Sequence, residues 1–182
     1  MSLKPIAPML GAPHHVAYLV DDIAATVERL AGDLGAGPFV LLEDVPLENV
    51  ESGGEAAAFN HDSAFGPCGG SPIELIQPSS LAPERVELRF APPRPRVHHT
   101  AYVIAPSGVG GVRAALEERG VSQYLSSTLM GGPETTLHDA SASFGHDLEI
   151  HADNEALRNF FGMVMASAEG WDGTEPLRPF EG

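Results

Sequence analysis

One short motif occurs twice in this chain, as HHVAYLV at residues 14–20 and as HHTAYVI at residues 98–104. Both copies are rich in residues that favour β-strands, and a helical pattern of apolar residues follows each of them. A second pair of related segments comes later, SPIELI at residues 71–76 and HDLEIH at residues 146–151. In both, a single glutamate interrupts an otherwise apolar strand. The chain therefore contains two similar modules.

Each module predicts the element order β-α-β-β-β. We expect an α+β fold in which the two βαβββ modules form one cupped mixed sheet, with an additional C-terminal helix indicated by an apolar stripe over residues 157–168. The first module is the longer one, and its acidic stretch 43–55 and glycine-rich stretch 63–70 are the expected places for the extra residues. The predicted strands cover residues 14–20, 38–43, 55–62 and 72–77, then 97–104, 121–128, 134–141 and 146–151.

The sequence divides into five predicted segments. They are an N-terminal segment (1–12), the first module (13–78), a Pro/Arg-rich linker (79–96), the second module (97–152), and a C-terminal helix and tail (153–182). The five prolines between Pro78 and Pro95 predict an extended, semi-rigid connection.

Composition excludes several classes of function. Acidic residues outnumber basic ones 25 to 10, giving a net charge of −15, so the surface repels phosphate and anionic lipid, and we expect neither nucleic acid nor membrane partners. Cys68 is the only cysteine, which excludes a disulfide framework and a zinc site of several thiolates and fits a cytoplasmic location.

Four polar residues stand out within the predicted strands. Side chains alternate between the two faces of a strand, so if the helices cover the apolar face, then His15, Glu74, His99 and Glu149 all lie on the concave face. A carboxylate there is costly unless it is paired or bound to metal. Two imidazoles and two carboxylates suit Zn²⁺, Ni²⁺, Co²⁺, Fe²⁺ or Mn²⁺. Taken singly, each residue is also compatible with an ordinary structural role.

These motifs together resemble the vicinal oxygen chelate superfamily, which includes glyoxalase I, methylmalonyl-CoA epimerase, extradiol dioxygenases and bleomycin-resistance proteins. The resemblance rests on His-x-Ala-Tyr at His15 and His99, and on Glu-Leu-Ile or Leu-Glu-Ile at Glu74 and Glu149. It implies a divalent metal, Zn, Ni, Co or Mn, held by these four residues. His14 and His98 fall on the opposite strand faces and are therefore not chosen as ligands.

The resemblance also implies a reaction, a proton transfer next to a carbonyl by a glyoxalase- or epimerase-type lyase or isomerase. The metal then acts as a Lewis acid, and Glu149 or Glu74 acts as the catalytic base. His151 shares a face with Glu149 and is a candidate partner for it, and Glu43 is a further candidate acid. Two alternatives stay open, a metal-free small-molecule binding or resistance protein and an iron-dependent extradiol dioxygenase. The presence of Glu74 favours the isomerase or lyase, since the dioxygenases do not normally use a fourth carboxylate ligand.

The expected partners are a small-molecule substrate and, from the apolar stripe of the C-terminal helix, a second copy of the chain in a homodimer. The substrate is left open between two classes. A glutathione or CoA adduct is anionic and would need the arginines of the linker, whereas an uncharged hydroxylated or aromatic metabolite would suit the apolar strands. The linker arginines are also expected to pair with nearby carboxylates.

Overall fold

The computed structural model describes residues 5–129 and 132–181, which form one curved mixed sheet of eleven strands with six α-helices packed around it. The predicted α+β fold is confirmed. The first four residues of the predicted segment 1–12 and the last residue of the predicted tail lie outside the described residues. The strands are β1 (His15–Leu19), β2 (Phe39–Leu42), β3 (Leu47–Ser52), β4 (Glu55–Ala56), β5 (Ala58–Cys68), β6 (Ser71–Ala82), β7 (Arg96–Ile104), β8 (Gln123–Leu129), β9 (Glu134–His138), β10 (Asp147–Ala152) and β11 (Leu177–Pro179).

The helices are α1 (Ala7–Leu10), α2 (Ile23–Leu34), α3 (Glu84–Glu87), α4 (Pro106–Glu117), α5 (Ser141–Phe144) and α6 (Glu155–Ala166), and a 3-10 turn spans Leu88–Phe90. Helix α2 begins after Asp22, whose side chain accepts a hydrogen bond from the amide of Ala25, and it ends at Gly35 in the left-handed region.

The sheet has an internal two-fold pattern. Its strand order is β11-β2-β5-β6-β1-β7-β10-β9-β8-β3-β4. The opening strand of each module lies parallel to its closing strand, β1 beside β6 and β7 beside β10, and β1 and β7 pair antiparallel at the centre. The repeated motif therefore brings the opening and closing strands of both modules together in the middle of one sheet.

Helices α2 and α4 cover the convex face of the sheet. Ile73 and Leu75 pack in the cluster around α2, while Leu148 and Ile150 pack in the cluster around α4. Since strand neighbours alternate, the glutamates between these residues project to the concave face, where the sequence pattern places them.

Two features of the first module differ from their predictions. The acidic stretch 43–55 does hold additional structure, since β3 and β4 form a hairpin there, but β3 pairs with β8 of the second module. The glycine-rich stretch 63–70 is largely not an insertion. Its residues 63–68 continue β5 as far as Cys68, because they pair in register with β6.

The segment 79–96 also differs from an extended linker. Strand β6 runs on to Ala82, and α3 and the 3-10 turn follow it. Burial explains the difference, because Val86 and Phe90 are both fully buried and Phe90 lies 4.6 Å from Phe59 and 4.2 Å from His98 between ring centres. The proline content of the segment does not predict these apolar contacts.

Helix α6 and the tail return to the sheet. Phe161 and Val164 of α6 are buried, and β11 pairs with β2 at one edge. The apolar stripe behind the homodimer prediction thus packs partly within the same chain, and the homodimer stays a prediction. In the part of the chain that the structure describes, none of the helices has the length and apolarity needed to cross a membrane.

We predict that Phe90→Ala lowers the free energy of unfolding by about 3–5 kcal/mol, because it empties a fully buried aromatic site. Leu88→Ala, two residues away and 66% exposed, is the control and should cost less than about 0.5 kcal/mol. Urea unfolding measures both. Equal losses for the two variants would show that this segment does not belong to the core.

Candidate metal centre

The register of the central strands places the four predicted ligands in two rows across the sheet. Ala17 pairs with Glu74 on one side and with His99 on the other. Ala101 pairs in the same way with Glu149 and with His15. Residues opposite each other in a sheet project from the same face, so each row carries a glutamate, a buried alanine and a histidine from the opposite module. The alanine of each His-x-Ala motif leaves open the space between the ligands.

The four side chains converge on one point. His15 Nε2 lies 3.4 Å from Glu74 Oε2 and 3.8 Å from Glu149 Oε2. His99 Nε2 lies 3.5 Å and 3.1 Å from the same two oxygens. One ligand atom from each residue lies within 4.8 Å of all the others. Ligands about 2.1 Å from a shared ion at right angles are about 3 Å apart, so these distances fit a common coordination shell.

Two nitrogen atoms of this group lack a hydrogen-bond partner. Nε2 of His15 and Nε2 of His99 are both buried and unbonded, and both face the carboxylate oxygens. A buried polar atom without a partner is costly, and a metal ion would ligate both nitrogens and both carboxylates at once. The donor set therefore fits a divalent cation, and metal binding at these four residues stays a prediction.

The two histidines of the group differ in their electrostatics. Burial alone would lower the pKa of His99, but the nearby charges of Glu149 and Glu74 raise it to about 10. Burial lowers the pKa of His15 against the same carboxylates. Although burial opposes the shift, contacts with histidines hold the pKa of Glu74 and of Glu149 below the usual range. Both glutamates therefore stay ionised, as metal ligands must be.

The two glutamates have different outer contacts. Ser63 Oγ donates a hydrogen bond of 2.7 Å to Glu74 Oε1. Glu149 Oε2 lies 2.6 Å from His151 Nε2, and Nδ1 of that ring lies 3.0 Å from Thr135 Oγ1. The expected contact between His151 and Glu149 is thus present. Among the described residues, no arginine forms an ion pair with either glutamate.

His14 and His98 take part in the site although the sequence analysis did not choose them. Nδ1 of His14 lies 3.0 Å from Nδ1 of His15, and Nδ1 of His98 lies 3.0 Å from Nδ1 of His99. Each contact lets Nδ1 of a candidate ligand histidine donate its proton to the neighbouring ring, an orientation that directs Nε2 toward the carboxylates. The repeated His-His doublet was the available sequence signal. Strand alternation does not reveal this signal. Neighbouring residues project to opposite faces, and here their ring nitrogens approach each other around the strand.

A cavity of about 700 Å³ lies over this group. Glu43, the candidate further acid, is an exposed residue of its lining rather than a neighbour of the ligands. His61 also lines it and was not singled out from the sequence. It is buried, and its ring stacks 4.0 Å from that of Phe59. Desolvation lowers the pKa of His61, so it presents a neutral ring to the cavity.

Comparisons with known proteins agree with this architecture. A family model described as the Glyoxalase/Bleomycin resistance protein/Dioxygenase superfamily matches residues 14–138. The chain resembles methylmalonyl-CoA epimerase from Mycobacterium tuberculosis with 15% identity and a TM-score of 0.51, over 83% of this chain and 93% of that one. Methylmalonyl-CoA epimerase from Streptomyces coelicolor, in complex with 2-nitronate-propionyl-CoA, has 19% identity and a TM-score of 0.51, over 80% of this chain and 99% of that one. A hypothetical protein from Bacillus halodurans C-125 has 19% identity and a TM-score of 0.50, over 79% of this chain and 95% of that one.

At these identities the structural similarity shows the fold alone. None of the curated protein sequences matches the chain. The family match confirms the resemblance found in the sequence motifs. It ends at His138, so Glu149 on β10 and the whole of α6 lie beyond the matched range and are interpreted from this structure.

We predict that Ala17→Val weakens Zn²⁺ binding at least tenfold, because the added methyl groups enter the row between Glu74 and His99. Val16→Ile adds bulk to the opposite face of the same strand and should leave the affinity unchanged. Zinc titration against a competing chelator measures both. Wild-type affinity in Ala17→Val would contradict an ion in this position.

We predict that His98→Phe lowers metal affinity about 10- to 100-fold, since the phenyl ring keeps the stacking on Phe90 but loses the contact with Nδ1 of His99. His138→Phe is the matched control, because His138 is equally buried and bonds to Thr136 instead. Equal affinities in the two variants, with both folded by circular dichroism, would contradict the positioning role of His98.

Proposed function

Because this chain belongs to the glyoxalase, bleomycin resistance protein and dioxygenase superfamily, we propose that it is a divalent-metal enzyme that moves a proton next to a carbonyl group, as a lyase or isomerase of glyoxalase or epimerase type. The observation that carries this proposal is the buried set of two histidines and two glutamates within 4.8 Å, with both histidine Nε2 atoms lacking other partners. Zn, Ni, Co or Mn suits this donor set.

The bound metal would supply Lewis acidity, stabilising negative charge on a substrate oxygen as the neighbouring carbon loses its proton. The protein's own contribution is a carboxylate base at the buried side of a cavity with a mainly apolar lining. This lining contains both glutamates, together with His61 and His151.

Glu149 is better suited than Glu74 to act as the base. The side chain of Glu149 is 14% exposed and that of Glu74 is 8% exposed, so Glu149 is more open to the cavity. Ser63 donates a hydrogen bond to Glu74 and fixes it, whereas Glu149 contacts the ring of His151 instead. We therefore assign proton transfer to Glu149 and a purely ligating role to Glu74.

The presence of a fourth ligand bears on the two alternatives. The iron-dependent dioxygenase would not need Glu74 as a ligand, and a metal-free binding protein would need none of the four. The distances from Glu74 to the two histidines and the distances from Glu149 to the same histidines agree to within about half an ångström. This equivalence favours the isomerase or lyase.

We predict that the metal-loaded protein catalyses exchange of the proton next to the carbonyl of α-hydroxy ketones or acyl thioesters with deuterium from D₂O, followed by NMR. Removing the metal with a chelator should abolish the exchange. Glu149→Gln, which still ligates through its amide oxygen, should slow it at least 100-fold, and Glu74→Gln should slow it less.

The zinc affinity of the Glu74→Ala variant is the second part of this test, and Glu43→Ala is a matched control from the same cavity. We expect Glu74→Ala to bind zinc at least 100-fold more weakly than the wild type, and Glu43→Ala to bind it with unchanged affinity. Exchange that survives the chelator, or a Glu74→Ala variant with wild-type metal affinity, would contradict the proposed function.

A further inference from the structure

The cavity over the candidate metal centre contains a large apolar space. Its volume is about 700 Å³, within the range of sites that enclose a small organic molecule. The four metal-site residues bound it at its buried side, while Leu129 and Phe180, each 42% exposed, border it where it meets solvent. A substrate bound to the metal must therefore place the rest of its structure against this lining.

Four phenylalanine rings form an aromatic wall beside the site, those of Phe65, Phe160, Phe161 and Phe180. Phe161 of α6 stacks on His15 with ring centres 5.2 Å apart. Phe65 lies 5.2 Å from Phe160 and 5.5 Å from Phe161, and Phe180 of the tail lies 5.8 Å from Phe160. Apolar residues of the concave face complete the enclosure on the other sides, among them Leu47, Phe59, Leu125 and Leu137.

Among the described residues, neither lysine nor arginine lines the cavity. The four arginines expected to serve an anionic substrate bond elsewhere. Arg85 pairs with Glu55, Arg89 with Asp139 and Asp147, and Arg94 with Asp21, while Arg96 donates to the carbonyls of Val97 and Arg89.

The arginines that adjoin the lining in sequence also have partners of their own. Arg158 pairs with Asp153, and Arg178 donates to the carbonyl of Glu175. In the part of the chain that the structure describes, a CoA or glutathione group therefore finds no guanidinium or ammonium group within the cavity, although such groups are the usual partners of phosphate and carboxylate.

Among the described residues, the ionisable side chains of the lining are glutamates and histidines. Glu43 stands on the exposed side of the cavity, and the chain carries a net charge of −15. The remaining polar lining includes hydroxyl groups on β8 and β9, those of Ser126, Ser127 and Thr135. Hydroxyls can bond to a neutral oxygen, but they do not balance the charge of a phosphate.

Together these contacts identify a substrate class. We propose that the substrate is an uncharged, largely apolar molecule, aromatic or aliphatic, that carries two adjacent oxygens for the metal, and that CoA thioesters and glutathione adducts are poor ligands. This inference rests on the proposed function, because only the metal requires the pair of oxygens. The apolar lining and the missing cations specify the rest of the molecule.

A series of hydroxamates tests the inference with a constant pair of chelating oxygens. Acetohydroxamate, butyrohydroxamate and heptanohydroxamate are titrated into the zinc-loaded protein by calorimetry, together with a heptanohydroxamate analogue whose terminal methyl is replaced by carboxylate. We expect affinity to rise roughly fourfold per added methylene, and the carboxylate to bind at least tenfold more weakly than its methyl counterpart. Propionyl-CoA should compete with none of them.

A variant pair then locates the chain of the ligand. Phe160→Ala should reduce the affinity ratio of heptanohydroxamate to acetohydroxamate at least threefold, whereas Phe144→Ala, on an exposed ring outside the lining, should leave that ratio unchanged. A ratio that is the same for Phe160→Ala and the wild type would overturn the assignment of this wall.

The outcomes separate the two proposals. If zinc binds and acetohydroxamate binds to it, but longer chains gain less than 1.5-fold per methylene or the carboxylate binds as well as the methyl, then the substrate class is wrong and the metal function stands. If zinc fails to bind the wild-type protein, the proposed function fails first, and the substrate class fails with it.

Discussion

Two ionised carboxylates lie side by side at the centre of the concave face of one sheet, and the surrounding groups must compensate for their charge. Glu74 is buried and the side chain of Glu149 is 14% exposed, and among the described residues their polar contacts come from histidines and one serine. Burying such charges is unfavourable by several kcal/mol per ion unless opposite charge lies close by. A divalent cation between the four side chains would satisfy both carboxylates and both free Nε2 atoms in a single contact, which explains why the fold tolerates the arrangement.

The strand pairing, the alanines of the repeated motif and the helices together form the surroundings of these carboxylates. Pairing of β1 with β7 brings the two modules into one sheet, and the alanine of each repeated motif keeps the row between a glutamate and a histidine free of bulk. Helices α2 and α4 occupy the convex face, so the concave face is left for ligands and cavity. Helix α6 then covers that face with aromatic rings, which restricts water where a proton would move.

The positions of the four candidate ligands could be predicted from the sequence, because they follow strand periodicity. Alternation assigns His15, Glu74, His99 and Glu149 to one face, and the internal repeat makes their coincidence specific. Periodicity does not describe how rings meet around a strand, so the contacts of His14 and His98 were missed. It also does not report pairing between distant segments, so the partner of β3 could not be anticipated. The segment 79–96 was interpreted by its prolines, while two buried apolar side chains, Val86 and Phe90, decide its structure.

The cavity adds information that neither the repeat nor the family match contains. Arginines that the sequence left available for an anionic substrate are bonded to carboxylates and carbonyls outside the cavity, and the lining is dominated by apolar side chains. The same chain therefore combines a candidate metal site that follows the symmetry of its two modules with a cavity that both modules line and that α6 and the tail complete.

If these four side chains hold a divalent metal, the metal content per chain will reveal it. The measurement is elemental mass spectrometry on untagged protein that has never been exposed to a nickel column, followed by titration with Zn²⁺, Ni²⁺, Co²⁺ and Mn²⁺. We predict close to one divalent ion per chain, present on isolation or taken up on titration, and lost in Glu74→Ala. Protein that contains no metal and takes up none would contradict it.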